Sequence, residues 1–198
     1  GDVPDIIHIY PQNMDFQEWA KAGYFQDMTG KDYLKRIKNN YAEKYAINGK
    51  IYNVPLNANV SGIYYNKTKF KELGLEEPKT FEEFQEITKK IKDSGTSPFA
   101  VAGTEGWTLN GYHQLSFITT TGSGDKANDY LRFSKPNAIK ATDPTLKEDA
   151  KKMDLLAENA QNGWRGASYN DAVVAFANGK ALMMPQGSWA LAAVKQQD

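Results

Sequence analysis

The sequence contains no cysteine, and this absence excludes disulfide bonds, thiolate metal ligands and a cysteine nucleophile. A chain without thiols also suits an exported protein, because it cannot be misoxidised. Its 24 basic and 24 acidic residues balance to a net charge of +0. Nucleic-acid binding needs a surplus of basic residues on one face, so this balance predicts no nucleic-acid partner. The sequence also lacks an apolar run of the length that a membrane-spanning helix needs.

Motifs for catalysis and for metal or cofactor binding are scarce as well. His8 and His113 have no second ligand at helical spacing, and each is interpreted as a structural residue. Ser188 lies in a Gly-Ser-Trp sequence, but the second glycine of a nucleophile elbow and a later histidine are missing. We therefore expect Ser188 to cap the helix that follows it. The acidic pairs at 76–77 and 82–83 are interpreted as solvated charges, so the sequence predicts no enzyme, no metal site and no cofactor.

Strand-like and helix-like segments alternate along the 198 residues, which predicts an α/β fold. Strands are predicted at residues 6–10, 60–65, 98–101 and 181–184. Helices are predicted at residues 15–22, 32–44, 81–92, 112–119, 144–161, 169–178 and 190–194. The dipeptide Asn48-Gly49 favours a hairpin over residues 45–54. If the chain forms two lobes, residues 60–65 are expected to join them.

Aromatic and amide side chains are concentrated in turns that follow predicted strands: Trp107, Trp189, Asn57, Asn59, Gln12 and Asn13. Ligands of open α/β sheets bind beyond the carboxyl ends of strands, so we expect these turns to share one crevice. An aromatic face beside amide groups suits a sugar, which has an apolar C–H face and a rim of hydroxyl groups. An alternative stays open, because turn tryptophans also cover hydrophobic cores and turn asparagines are favoured by the backbone.

Six segments carry a resemblance to a known family: PDII (4–7), NGKIYNVP (48–55), GIYYNK (62–67), GLEEPKTFEEF (74–84), AFANGKALM (175–183) and GSWA (187–190). The third and fourth segments together, and the last two together, are the more specific. In the order and spacing of these motifs the sequence resembles the extracellular solute-binding proteins of carbohydrate ABC transporters, the group that includes maltose-binding protein. The resemblance covers nearly the whole chain.

The resemblance implies a type II periplasmic-binding-protein-like α/β fold, in which two lobes close on a ligand and no chemistry is done. Residues 1–60 would be part of the N-terminal lobe, and residues 61–198 most of the C-terminal lobe. The chain has no initiator methionine or signal segment. Against the family pattern we expect a fragment that lacks the first strand and helix of the N-terminal lobe and everything after the helix that follows Trp189. The implied partners are a carbohydrate ligand and the membrane permease subunits. The implied state is a monomer, extracellular or periplasmic and lipid-anchored.

The resemblance also implies which residues of this chain contact the ligand. Trp189 matches the family's Gly-x-Trp tryptophan, which stacks on a sugar ring. Trp107 falls in a loop that supplies a second aromatic residue, with Glu105 as a competing contact. Asn59 lies near the first crossover between lobes, where a polar contact is common, and Asn57 is the alternative.

Two further positions follow from the same comparison with the family. Gln12 and Asn13 follow the first predicted strand, where contacts from the first lobe are usual. Tyr65 and Asn66 belong to the family signature, and we expect them to have a structural role.

Three rival functions stay open. Adjacent tyrosines bind ferric iron in relatives of this fold, and Tyr64 and Tyr65 are adjacent, although neighbours on a strand point to opposite faces. A glycoside hydrolase would need two carboxylates facing one sugar. A structural or adhesive fragment would bind no small ligand.

Overall fold

Two compact units, Gly1–Ala58 and Asn59–Asp198, make up the chain in the computed structural model, which describes residues 4–11, 13–131 and 140–197. We call them unit 1 and unit 2. The helical elements of unit 1 are α1 (Met14–Lys21), 3-10 turns at Asp32–Arg36 and Lys38–Asn40, and α2 (Tyr41–Lys44). Leu34, Ala42 and Ile51 form a buried cluster in this unit, and Phe16 and Ala20 of α1 are buried as well.

Helix α1 confirms the helix predicted at 15–22, and Gly23 follows it with a φ of 83°. The single helix predicted at 32–44 is wrong. Asn39 and Asn40 have φ values of 59° and 53°, and two left-handed residues in succession cannot continue a right-handed helix. The segment therefore forms short separate turns.

The strand predicted at 6–10 is also wrong, since residues 4–11 form no strand and Ile6 is 90% exposed. An apolar run becomes a strand when its backbone groups pair with a neighbour, and no described segment pairs with this one. The turn of the predicted hairpin is confirmed, because Asn48 and Gly49 both have positive φ, as a type I′ turn requires. Its arms pair through a single bridge between Ile47 and Lys50.

Unit 2 contains a sheet in the order β1-β3-β2, formed by β1 (Ser61–Tyr65), β2 (Ser97–Phe99) and β3 (Ala181–Gly187). These strands confirm the predictions at 60–65, 98–101 and 181–184. Strand β1 runs antiparallel to β3, with Ser61 opposite Gly187, and β2 runs parallel to β3. Every residue of β3 is buried, as expected for a central strand covered on both faces.

The helices of unit 2 are α3 (Lys67–Glu72), α4 (Phe81–Asp93), α5 (Gly106–Thr121), α6 (Gly124–Leu131), α7 (Pro144–Glu158), α8 (Tyr169–Ala177) and α9 (Ala190–Lys195). Several begin at a side-chain cap that the sequence predicts or permits. Thr80 accepts from the Glu83 N–H at 3.1 Å, and Asp143 accepts from the Thr145 N–H at 2.9 Å. The helices predicted in this unit are thus confirmed, with α5 longer than expected.

Two clusters of buried side chains enclose the sheet. One contains Phe70, Ile91, Phe99 and Leu182, from four different elements. The other contains Val173, Phe176, Met184 and Ala190, so that β3 contributes to both. Within the described ranges no helix combines the length and apolar character that crossing a bilayer requires.

Candidate functional site

The topology of the sheet brings three of the predicted turns to one edge. Because β2 and β3 are parallel, the segments that follow Phe99 and Gly187 leave the sheet on the same side. Strand β1 is antiparallel to β3, so the residues that precede Ser61 reach that side as well. Trp107, Trp189 and Asn59 therefore gather at this edge, which we call the site edge.

Trp189 lies across the end of β3. A Cβ placed on Gly187 would be 2.1 Å from the Trp189 ring, so the ring occupies the space that any side chain at position 187 would need. The φ of Gly187 is not positive, and the residue belongs to the strand. Although a glycine between a strand and a helix suggests a turn residue, the missing side chain of Gly187 instead lets the indole approach the backbone. The indole Nε1 donates to the buried Gln186 side chain at 3.2 Å.

Trp107 and Tyr169 continue the aromatic surface that Trp189 begins. The Trp107 ring centroid is 6.2 Å from that of Trp189 and 5.2 Å from that of Tyr169, with tilted planes. Trp107 is 48% exposed and Trp189 is 43% exposed. Rings that are half exposed leave part of their apolar surface accessible to solvent. Partial burial raises the pKa of the Tyr169 hydroxyl, which therefore stays a neutral donor at physiological pH.

Glu105 connects the loop before α5 to the first residue of α8 through hydrogen bonds. Its Oε2 accepts from the Tyr169 N–H at 2.9 Å and from the Thr104 hydroxyl at 2.7 Å. Gly103 lies so close to the backbone of Arg165 that a Cβ would be 2.6 Å from the Arg165 Cα. The loop before α5 is thereby fixed against the segment that leads into α8.

Asn59 reaches the site edge through Ser188. The Ser188 hydroxyl donates to Asn59 Oδ1 at 3.2 Å, and the Ser188 N–H donates to the Val60 carbonyl at 2.8 Å. The prediction that Ser188 caps the following helix is wrong, since the N-cap of α9 is Trp189 and makes no side-chain cap. The Ser188 hydroxyl hydrogen-bonds to Asn59 and Val60 instead of to the first turn of α9.

The remaining candidate residues lie in unit 1 or outside the described residues. Asn13 belongs to unit 1, where it precedes α1 and its side chain makes no cap. Asn57 is an exposed residue of unit 1. Gln12 lies outside the described residues.

The two adjacent tyrosines of β1 point to opposite faces of the sheet. Tyr64 packs against Phe176, and its hydroxyl donates to the Gly187 carbonyl at 3.1 Å. Tyr65 packs against Phe70, and its hydroxyl donates to Glu77, which raises the pKa of that hydroxyl. Such a pair cannot bind one iron ion together, and the expected structural role of Tyr65 is supported.

Other polar side chains of unit 2 have structural partners. His113 Nε2 lies 3.0 Å from Asp149 Oδ2, and the His113 ring meets Phe117 edge-on at 4.8 Å. Asn66 Oδ1 accepts from the Lys69 N–H at 3.0 Å and caps α3. In the described part of the chain no group of three or more histidine or acidic side chains is placed to hold a metal ion.

Sequence reasoning missed Tyr169 and Gln186. Tyr169 is the first residue of α8, directly after the Ser168 cap, and the capping sequence marks a helix start without indicating what lies beside it. Gln186 is a buried polar residue in an apolar strand, and that contrast is a signal that could have found it. Together with the predicted residues they form a surface of half-exposed rings bordered by amide, hydroxyl and carboxylate groups. Such a surface can stack on a flat apolar face and hydrogen-bond to its rim.

A sheet covered by helices, with an aromatic and polar cluster beyond its strand ends, is an arrangement typical of proteins that bind small solutes. The sequence matches the family of bacterial extracellular solute-binding proteins over residues 1–198, and the chain belongs to that family. Its fold is a partial fragment of the type II periplasmic solute-binding fold.

The chain is 67% identical over 200 residues to the multiple sugar-binding protein of Streptococcus mutans serotype c, covering 100% of this chain and 48% of that protein. It superposes on the apo form of RafE from Streptococcus pneumoniae with a TM-score of 0.84 and 57% identity, covering 100% of this chain and 51% of that one. For RafE in complex with raffinose the TM-score is 0.90 at 57% identity, covering 100% and 52%. The chain therefore spans about half the length of these relatives.

Proposed function

We propose that this chain is part of the substrate-binding component of a carbohydrate ABC importer, and that it captures a sugar or oligosaccharide without altering it. The observation that carries this proposal is the half-exposed pair of Trp107 and Trp189, with Tyr169 beside it, at the site edge. The identity of 67% to a multiple sugar-binding protein, and of 57% to a protein solved with raffinose, favours the same class of ligand.

Each residue of the cluster has a proposed part in binding. Trp189 stacks on a sugar ring, and Trp107 and Tyr169 extend the apolar surface to a second ring or to its edge. Glu105 and Asn59 supply hydrogen-bonding groups for hydroxyls. Stacking of this kind is worth roughly 1–3 kcal/mol, by analogy with base–aromatic stacking.

The capture mechanism that we propose is closure of two lobes. Unit 1 would be part of the N-terminal lobe, with Gln12 and Asn13 as its ligand contacts, and unit 2 most of the C-terminal lobe. A ligand that contacts both lobes at once binds the closed state more tightly and shifts the population towards it. The closed protein, a monomer outside the cytoplasmic membrane and held by a lipid anchor, would then present its sugar to the permease subunits.

A thermal-shift screen of sugars on the intact protein tests the proposed ligand class. We expect raffinose or a related oligosaccharide to raise the Tm, because a ligand at 100 times its Kd stabilises the folded state by about 2.7 kcal/mol. A broad panel without any shift would contradict the proposal. Release of a monosaccharide from the oligosaccharide would contradict it too, in favour of a glycoside hydrolase.

The variant Trp189→Ala tests the central residue of the site. We expect the affinity measured by calorimetry to fall by roughly 5- to 150-fold, which corresponds to the loss of one stacking contact. Trp19→Ala is the matched control, since Trp19 is 44% exposed and lies in unit 1. Undiminished binding by Trp189→Ala, with the fold intact by circular dichroism, would show that the site is assigned wrongly.

A further inference from the structure

Ser188 makes three contacts with the segment that precedes β1. Its N–H donates to the Val60 carbonyl at 2.8 Å, and its hydroxyl oxygen accepts from the Val60 N–H at 3.4 Å. The same hydroxyl donates to Asn59 Oδ1 at 3.2 Å. Since Ser61 is opposite Gly187, these contacts extend the β1–β3 ladder by one pair of residues beyond its end. The backbones of Val60 and Ser188 share one hydrogen bond, and the Ser188 hydroxyl supplies a second one.

The residue after Ser188 is Trp189, whose ring has little freedom relative to the strand. The ring lies against the bare Cα of Gly187, and its Nε1 donates to Gln186. A shift of the backbone at Ser188 therefore moves the indole with it. The contact of the ring with Gly187 and its hydrogen bond to Gln186 thus link the position of the ring to the backbone direction at position 188.

The segment that Ser188 contacts, Asn59–Val60, lies at the boundary between the two units of the chain. Unit 1 ends at Ala58 and unit 2 begins at Asn59, so Ser188 holds the first two residues of unit 2. Any movement of the chain at the passage from one unit to the other reaches Asn59 and Val60 first. Both residues are exposed, and their contacts with Ser188 are what holds them to the sheet.

We propose that Ser188 is a positioning residue that couples Trp189 to the Asn59–Val60 segment at the passage between the units. The consequence for ligand binding rests on the proposed function, in which Trp189 is the sugar platform. Through this coupling a displacement of Asn59 and Val60 changes the position of the Trp189 ring. A ligand bound to the ring in turn restrains these two residues.

The coupling is tested in the intact protein, without sugar, by fluorine NMR after labelling with 5-fluorotryptophan. Each labelled tryptophan gives its own resonance, and Trp189→Phe identifies the one that belongs to Trp189. We expect Asn59→Ala to shift the Trp189 resonance, although Asn59 is 129 residues from Ser188 in the chain. In a Ser188→Ala background the same Asn59→Ala change should add no further shift, because the hydroxyl that connects the two is gone.

Control variants separate this coupling from a general loosening of unit 2. Asn178→Ala removes an exposed amide from the end of α8, and Ser94→Ala removes a serine hydroxyl that donates to the Ile91 carbonyl at 2.6 Å. Both should leave the Trp189 resonance in place, and Ser188→Thr should preserve the response to Asn59→Ala. A Trp189 resonance that ignores Asn59→Ala in the parent protein, or that still responds to it after Ser188→Ala, would overturn the proposal.

A binding measurement adds the functional consequence. We expect Ser188→Ala to weaken raffinose binding by about 3- to 10-fold, the effect of losing a neutral hydrogen bond, and Ser188→Thr to restore it. If the parent protein binds no sugar, the proposed function fails, while the ligand-free NMR comparison still decides the coupling. If Trp189→Ala weakens raffinose binding and Ser188→Ala leaves it unchanged, the proposed function is supported and the coupling through Ser188 plays no part in sugar binding.

Discussion

At the scale of one residue, Gly187 leaves space for the side chain of Trp189, two positions further along the chain. Its missing Cβ is what allows the Trp189 ring to lie on the strand end. The sequence indicates a glycine at a strand-to-helix junction, and a turn is the ordinary explanation for it. The structure assigns it to close packing, because its φ is not positive and a methyl group would be 2.1 Å from the ring.

The variant Gly187→Ala is therefore expected to displace the ring and lower the affinity for raffinose towards that of Trp189→Ala, roughly 5- to 150-fold below the parent. The added methyl group would push the half-exposed indole into solvent rather than into the core, so the free energy of unfolding should fall by about 1 kcal/mol or less. Calorimetry gives the affinity, and thermal denaturation gives the stability.

Gly62→Ala is the matched control on the neighbouring strand. Gly62 pairs with Gln186, and a Cβ there would meet no atom within 4 Å. This variant should bind raffinose as the parent does. Equal affinities for the parent and Gly187→Ala would show that the ring position is unimportant for binding.

At the scale of one element, α8 shows how a helix start places a functional side chain. The Ser168 hydroxyl accepts from the Asp171 N–H at 3.2 Å, and the Ser168 N–H donates to Asp171 Oδ2 at 2.8 Å. This capping box orients the first turn of α8, and Tyr169 is the first residue of that turn. The cap involves residues that are neighbours in the sequence, whereas the contact of Tyr169 with Trp107 depends on the loop before α5.

The capping box makes a contribution to stability that depends on pH. Hydrogen bonds from the Ser168 backbone and side chain hold the pKa of Asp171 below its usual value of 3.8. A group whose pKa is lower in the folded state stabilises the fold above its unfolded value, and this contribution is lost as the pH falls through the folded value. We expect Asp171→Asn to have a lower Tm than the parent at pH 7 and the difference to shrink below pH 3.8.

Asp154→Asn is the control variant, since it replaces an exposed aspartate in the interior of α7. A difference between Asp171→Asn and the parent that stays constant down to pH 2 would contradict the assigned role of the carboxylate.

At the scale of the whole molecule, the proposed closure of two lobes predicts a change in size. We expect raffinose at saturation to reduce the radius of gyration of the intact protein, because a ligand held by both lobes favours the closed state. Small-angle X-ray scattering measures the radius with and without sugar. Trp189→Ala at the same sugar concentration should keep the ligand-free radius. Tight binding by calorimetry without any change in radius would argue against closure.

Particular segments show how far the sequence alone predicts the fold. Residues 81–92 carry their own cap and apolar face, and α4 forms there as expected. Residues 32–44 have a helical pattern, yet Asn39 and Asn40 adopt left-handed conformations that no pattern of apolar residues reveals. Residues 6–10 have a strand-like composition, but a strand depends on its neighbour, and pairing is a tertiary property.

The sequence by itself determined the strands of unit 2, its helices apart from α3 and α6, the family to which the chain belongs and the two tryptophans of the proposed site. The strands and helices follow from local patterns of capping and periodicity, whereas the family follows from the order of motifs along the chain. The tertiary structure alone decided that Tyr169 joins the tryptophans and that Ser188 contacts Asn59 across 129 positions. The physical reason is the topology of the sheet, because antiparallel β1 and parallel β2 bring distant segments to the same end of β3.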